Sequence, residues 1–292
     1  MASECAKFWV CTSHDGYSPT VGNISVHSRT SATLRPPQAQ LVKLRRDKVY
    51  FACLRSDGDG MNFLRHFYRL LYDQSAHGEV PIGWQLGPMA SDLIPGIVDY
   101  YYKRARPGDC FVNALTGSEY IHEDRYAQNF PPEAREKILR NYVNLSGLYR
   151  QRIGVTTTCA FAEMPHDLLA QFAGIPGMKA VFANYGGTHN TTVENFVTEI
   201  SDVPIFRSVN WDAAPVMYLG YTPHARNEIL RFMIDDIKRW TPPQRPAFLH
   251  GFLADWLRDL SMATQIAKGL GAEYVAVRPD QLLDLYRQSS GG

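Results

Sequence analysis

Asp57 and Asp59 stand two residues apart in Ser56-Asp57-Gly58-Asp59-Gly60, directly after the apolar run that begins at Lys48. In that run Val49, Phe51, Cys53 and Leu54 interleave with Tyr50 and Ala52, which predicts a strand buried on both faces of a parallel sheet. The spacing of Met61, Phe63, Leu64, Phe67, Leu70 and Leu71 predicts a helix straight after the turn. Two acids at the C-terminal edge of a strand occupy the place where α/β folds collect binding and catalytic groups. Proton transfer by a carboxyl pair is one chemistry open to them, and oxygen ligation of a shared Ca²⁺ or Mg²⁺ is another. The structural alternative is that they only form the turn and cap the next helix, since Asp and Gly are what such a turn would use anyway.

The elements that must position these acids repeat along the chain. Further strands are predicted at Ile82–Leu86, Cys110–Leu115, Ile153–Phe161, Lys179–Asn184, Pro204–Asn210, Ala247–Leu253 and Tyr274–Arg278. Helices are predicted over Asp92–Tyr102, Pro132–Tyr149, His166–Phe172, His224–Trp240, Leu260–Leu270 and Asp280–Arg287. Eight such units over residues 48–292 match the size of a (β/α)8, TIM-type barrel, and an open doubly wound sheet is the competing arrangement. Residues 1–47 show no helical period and read as an irregular N-terminal extension packed on the barrel, with short strand candidates at Lys7–Thr12 and Asn23–His27.

In a barrel, the residues just after each strand face one mouth. Asp57, Asp59, Glu119 and Asp255 are the candidate catalytic carboxyls there. Trp84, Tyr120, His122, Glu163, Asn184, Tyr185, Trp211 and Trp256 are the candidate substrate-binding residues. Sugar rings stack their C–H faces on Trp and Tyr and bond their hydroxyls to Asp, Glu and Asn, while paired carboxyls supply acid and base or nucleophile. The expectation is a glycosidase, with Glu119 as the acid, desolvated by Tyr120 and the preceding strand, and Asp57 ionised among glycines. A carbohydrate-binding protein without catalysis and a metal-dependent polysaccharide deacetylase are the alternatives. None of the nine histidines has a partner at helical ligand spacing, and His122 and His250 read as polar contacts. A nucleophile-elbow serine and a P-loop are both missing from the sequence.

At 292 residues and 45% hydrophobic the chain can bury a full core. A net charge of +1 without a long basic run points away from nucleic acid and anionic membrane surfaces, toward a neutral partner such as a carbohydrate. No apolar stretch of membrane-spanning length and no signal-peptide order is read, so the expectation is a cytoplasmic protein or one whose leader has been removed. The five cysteines lack CxxC spacing, so no zinc site is expected. Cys53, Cys110 and Cys159 read as core packing, and a Cys5–Cys11 bridge is open only to an exported chain.

Several motifs in order carry a resemblance. Ser56-Asp57-Gly58-Asp59, Gly83-Trp84 with Gly87-Pro88 and Asp92-Leu93, Gly117-Ser118-Glu119-Tyr120-Ile121-His122 and Tyr274-Val275-Ala276-Val277-Arg278-Pro279-Asp280 resemble the C-terminal domain of the GxGYxYP putative glycoside hydrolases. The lead-in Asn23-Ile24-Ser25-Val26-His27-Ser28 is similar too, so the resemblance covers roughly residues 20–288. It implies a barrel-like fold, a carbohydrate substrate and a secreted or periplasmic location; separately, no cofactor is expected beyond a Ca²⁺ or Mg²⁺ at Asp57 and Asp59. Family members usually carry an export signal and a separate N-terminal domain, and the expectation is that this chain resembles the catalytic-type domain alone. Where the name-motif would place Gly, Tyr and Pro, this chain has Glu119, His122 and Glu123, and Gly60 stands where Asn usually follows the acids.

Overall fold

The computed structural model describes residues 3–7, 24–56, 58–114, 117–122, 125–160, 166–183, 196–209, 223–253 and 259–291. Its strands are β1 (Val49–Arg55), β2 (Ile82–Leu86), β3 (Asp109–Asn113), β4 (Thr157–Cys159), β5 (Ala180–Ala183), β6 (Val197–Ile200), β7 (Val203–Arg207), β8 (Ala247–Leu253) and β9 (Tyr274–Val277). Its helices are α1 (Ile24–His27), α2 (Tyr68–Tyr72), α3 (Ala90–Leu93), α4 (Pro95–Arg104), α5 (Pro132–Arg152), α6 (His166–Ala173), α7 (Pro223–Arg239), α8 (Ser261–Leu270) and α9 (Pro279–Ser290). A π-helical turn, Phe63–Phe67, leads into α2.

Period-two alternation sorts the side chains of β1 onto two apolar faces. Tyr50, Ala52 and Leu54 join Cys110, Val112, Cys159, Phe182, Phe206 and Phe248, with Leu282, Leu283 and Leu285 of α9 against them. Val49, Phe51 and Cys53 join Met61, Leu64 and Trp84 on the face that the intervening helices cover. All seven residues of β1 are buried, as a strand enclosed on both sides requires, and each large side chain withdrawn this way contributes about 1.5–3 kcal/mol. Cys53, Cys110 and Cys159 are buried packing residues, and burial pushes the Cys53 and Cys159 thiols up to about 12. Cys5 is a free, exposed thiol, and Cys11 lies outside the described residues.

Among the described residues nine strands form one mostly parallel sheet, eight of them in the order β6-β7-β5-β4-β3-β2-β1-β8 and β9 paired to β1 off that path. Its ends approach each other: Ser208, just past β7, makes a parallel bridge to His250 of β8, and the Val209 N–H donates to the His250 carbonyl at 2.9 Å. The result is a mixed α/β fold that departs in two places from eight equivalent units. First, β6 is an additional antiparallel strand, joined to β7 by Ser201 and Asp202 at φ 50 and 63, the left-handed pair that a two-residue hairpin turn needs. Second, β9 does not stand between β8 and β1. β8 pairs with β1 from Val49 to Arg55, and the other edge of β1 is divided, β9 taking Val49–Ala52 and β2 taking Leu54 and Arg55.

Other elements differ from expectation for local reasons. The helix expected over Asp92–Tyr102 is broken at Ile94, whose φ of −139 precedes Pro95 at the start of α4. The fourth strand is only Thr157–Cys159, because α5 runs on to Arg152 and Gly154 turns the chain at φ 71. Asn23–His27, expected as a strand, contains the helical turn α1, closed by the Ser28 N–H to Ile24 O bond at 2.8 Å and the Thr30 hydroxyl to His27 O bond at 2.8 Å. Of the expected strand at Lys7–Thr12, residues 8–12 lie outside the described set.

The extension is held by its backbone. The Arg278 guanidinium donates to the carbonyls of Pro37 at 2.9 Å and Gln38 at 3.2 Å, and Gln281 and Gln288 of α9 donate to those of Gln40 at 2.9 Å and Val42 at 3.1 Å. Among the described residues no helix is long and apolar enough to cross a membrane.

Candidate functional site

Three turns that are far apart in sequence meet at the C-terminal ends of β1, β2 and β3. Ser56 anchors the first, its N–H and hydroxyl donating to the Leu253 carbonyl of β8 at 3.1 and 3.3 Å. Gly58 then passes so close to β2 that a Cβ would lie 1.7 Å from the Gln85 carbonyl oxygen, so only glycine fits. The Gly87 N–H donates to the Gly58 carbonyl at 2.8 Å and locks the two turns together. This interlock sets Asp59 beside the end of β2, where it is half-buried.

Glu119, six residues past β3, reaches the same point. A Cβ built on Gly87 would lie 3.0 Å from the Asp59 Cα and 3.0 Å from the Glu119 Oε1, so the two acidic residues flank one glycine. Glu119 is 1% exposed. Burial raises its carboxyl pKa well above the ordinary value, the negative charge of Asp59 raises it further, and a bond from the Met89 N–H offsets part of the rise. A carboxyl in this setting keeps its proton where ordinary carboxylates have lost theirs, which suits a general acid.

The structure sorts the remaining candidates. Trp84, expected at the mouth as a sugar platform, is corrected: it is 0% exposed on the helix-covered face. Its indole N–H donates to Asp109 at 2.9 Å, and its ring is packed edge-on by Tyr68, Tyr72 and His77. As an even-numbered residue of β2 it points away from the face that carries Gly83 and Gln85, and no ring face is left for a ligand. Tyr120 and His122 stack edge to face at 5.4 Å, and the His122 N–H donates to the Ser3 hydroxyl at 3.0 Å, which ties this loop to the N-terminal residues. Asp57, Glu163, Asn184, Tyr185, Trp211, Asp255 and Trp256 lie outside the described residues. The Ca²⁺ or Mg²⁺ pair is therefore represented by Asp59 alone, and no group of three or more His, Cys, Asp or Glu is placed to hold a metal among the described residues. His250 is the polar contact expected of it: its Nε2–H donates to the Phe206 carbonyl at 2.9 Å, and burial drives its pKa down to about 3, keeping the ring neutral.

Sequence reading passed over Tyr142, Ser146 and Tyr149 of α5. They recur at helical spacing, so one inward stripe of α5 presents hydroxyls where an apolar stripe is the rule. Tyr142 and Ser146 bond the Glu119 turn, and the Tyr149 hydroxyl donates to Asp92 at 2.7 Å, which Arg152 also pairs at 2.5 Å. Burial first, then the Asp92 bond and charge, with a smaller share from Glu119, push Tyr149 up to about 12. Tyr149 also lines a surface groove of about 500 Å³ with Leu145, Leu148, Gln151 and Arg152.

Comparison with known proteins bears on the family and the fold. No curated protein matches the chain. A crystal structure of a putative hydrolase from Bacteroides thetaiotaomicron superposes with a TM-score of 0.74 at 20% identity, over 98% of this chain and 54% of that one. The chain thus spans about half the length of that structure, and the likeness is one of fold. The family profile named "GxGYxYP putative glycoside hydrolase C-terminal domain" matches residues 47–287, from just before β1 to within α9, and the chain belongs to that family.

Proposed function

We propose that this chain hydrolyses a glycosidic bond at the C-terminal ends of its strands, with Glu119 as proton donor and Asp59 as one of the carboxylates opposite. The observation that carries this reading is the buried Glu119 carboxyl facing Asp59 across Gly87. Glycoside hydrolysis needs one carboxyl protonated at working pH to give a proton to the leaving-group oxygen. It also needs a second, ionised, to act as nucleophile or to activate water. Burial and a like charge together raise Glu119, which divides the labour between two chemically similar acids. Asp57 and Asp255 are further candidates for the second role by their places after β1 and β8. Family membership supports a carbohydrate substrate, and the bridge between Ser208 and His250 supports a barrel-like closure that gathers the strand ends around it. At 1% exposure, Glu119 meets a sugar only after whatever covers it moves aside, as active-site segments do in many enzymes.

The test is turnover on a panel of oligosaccharides and polysaccharides. The unmodified protein is expected to cleave at least one of them, and Glu119→Gln to lower its kcat by about 10²–10⁴-fold, the usual contribution of a general acid. Unchanged turnover in Glu119→Gln removes Glu119 from the mechanism. Binding of a sugar without cleavage by the unmodified protein replaces the hydrolase reading with that of a carbohydrate-binding protein.

A further inference from the structure

Each residue of the turn Gly117-Ser118-Glu119 is fixed by a buried side chain from a neighbouring element. Asn113, the last residue of β3, donates from Nδ2 to the Gly117 carbonyl at 2.8 Å and to the Thr158 hydroxyl at 3.2 Å. The Ser146 hydroxyl donates to the Tyr142 carbonyl at 2.8 Å, so it is the acceptor for the Ser118 N–H at 3.0 Å and for the Ser118 hydroxyl at 3.2 Å. The Tyr142 hydroxyl donates to the Glu119 carbonyl at 2.6 Å and accepts the Glu119 N–H at 3.3 Å, taking both backbone groups of one residue. Gly117, at φ +99, lets the turn lie so close to α5 that a Cβ there would be 2.2 Å from the Ser146 Oγ. Tyr142 is 3% exposed and Ser118 and Ser146 no more than 1%, so these bonds are made out of water, where an unmade one is costly.

A loop that only connects β3 to α5 has no need of this, because surface loops satisfy their backbone with solvent. Two hydroxyls four residues apart on one helix face have instead been buried to hold two consecutive residues, Ser118 and Glu119, the second of which bears the acid. We propose that Tyr142 and Ser146 are the positioning residues of Glu119, fixing its main chain from α5 so that the carboxyl stays seated against Gly87, opposite Asp59. The proposal rests on the reading of Glu119 as proton donor, but the cradle can be tested without a substrate. Without the Tyr142 hydroxyl the Glu119 backbone loses two bonds, the turn loosens and water reaches the carboxyl. Solvation favours the ionised form, so its titration moves toward the ordinary range.

The experiment is an NMR titration of the full chain labelled with ¹³C-carboxyl glutamate. One resonance, identified by its loss in Glu119→Gln, is expected to titrate well above the others. Tyr142→Phe is expected to lower its midpoint by about one pH unit, a modest environmental shift, and Ser146→Ala to lower it by less. Arg150→Gln is the control, because Arg150 lies on the same helix but bonds the Val155 and Pro176 carbonyls. It is expected to lower the melting temperature and leave the midpoint in place. A midpoint unmoved in Tyr142→Phe, one moved as far in Arg150→Gln, or no high-titrating glutamate at all overturns the proposal. A midpoint that falls in Tyr142→Phe while the unmodified protein cleaves no glycoside upholds the cradle and sinks the hydrolase reading; cleavage with an unmoved midpoint does the reverse.

Discussion

Two buried carboxyls bracket β3, Asp109 at its first residue and Glu119 past its last, each 1% exposed. Asp109 is surrounded by donors. His77 Nε2 lies 2.9 Å from each of its oxygens, and it accepts the Trp84 indole N–H at 2.9 Å, the Arg106 N–H at 2.6 Å and the Tyr72 hydroxyl at 3.1 Å. Glu119 is raised by its burial and by the charge of Asp59, with only the Met89 N–H pulling the other way. Equal burial therefore comes with different surroundings, hydrogen-bond donors at Asp109 and a like charge at Glu119. The donor-rich acid staples the N-terminal ends of β2 and β3, where fold-stabilising groups belong. The acid set against a like charge sits at the C-terminal ends, the edge where α/β folds collect binding and catalytic groups.

If that contrast is right, the largest effect is on stability at the first site. Asp109→Asn turns an acceptor for four donors into a group that repels some of them. It is expected to cost about 3–5 kcal/mol, the loss typical of breaking a buried pair, measured by denaturant unfolding. A cost below about 1 kcal/mol, the level of an ordinary surface change, would put the two acids in one class. Next, Trp84→Phe removes a single donor to Asp109 and is expected to cost about 1.5–3 kcal/mol, as hydrogen bonds to charged groups do. Any sugar affinity the protein has should survive that change. A selective loss of sugar binding with stability intact would return Trp84 to the mouth.

The smallest effect sharpens the second site. Glu119 is raised in the folded state, so between its ordinary pKa and its folded one the native protein holds a proton that the unfolded chain has lost. Its contribution to stability is therefore full below the ordinary carboxylate range and fades as pH rises through the folded pKa, with a slope of at most about 1.4 kcal/mol per pH unit. Glu119→Gln should remove that slope, as read from unfolding curves at a series of pH values. A profile identical in the variant would mean that Glu119 titrates as an exposed acid.

Much of the scaffold was legible in residue order. β2 and β8 fall on the expected Ile82–Leu86 and Ala247–Leu253, because short runs rich in large apolar residues and bounded by turn residues leave little else to form. The hairpin β6–β7 was not legible, since Val197–Ile200 is partly exposed and its turn uses Ser201 and Asp202 in place of the glycine that marks such turns. Glu119 was legible as an acid after a strand. Tyr142 and Ser146 were not, because a tyrosine and a serine within a helix ordinarily pack or face water, and only the turn folded against them gives their hydroxyls a partner. Trp84 misled for the same reason, its neighbours Tyr72, His77 and Asp109 being brought to it by the fold.

By itself the sequence determined most of the strands and helices, though not β6 or α1, that the chain carries a full core, and that acids and glycines gather after β1 and β3. Those are properties of composition and local period, and a chain fixes them without reference to its distant parts. The tertiary structure decided the order β6-β7-β5-β4-β3-β2-β1-β8, the division of one edge of β1 between β2 and β9, and which carboxyl is set among donors and which against another acid. Such outcomes depend on residues tens to hundreds of positions apart coming within a few ångströms. The free energy of a buried charge is set at that range, by the particular groups that surround it.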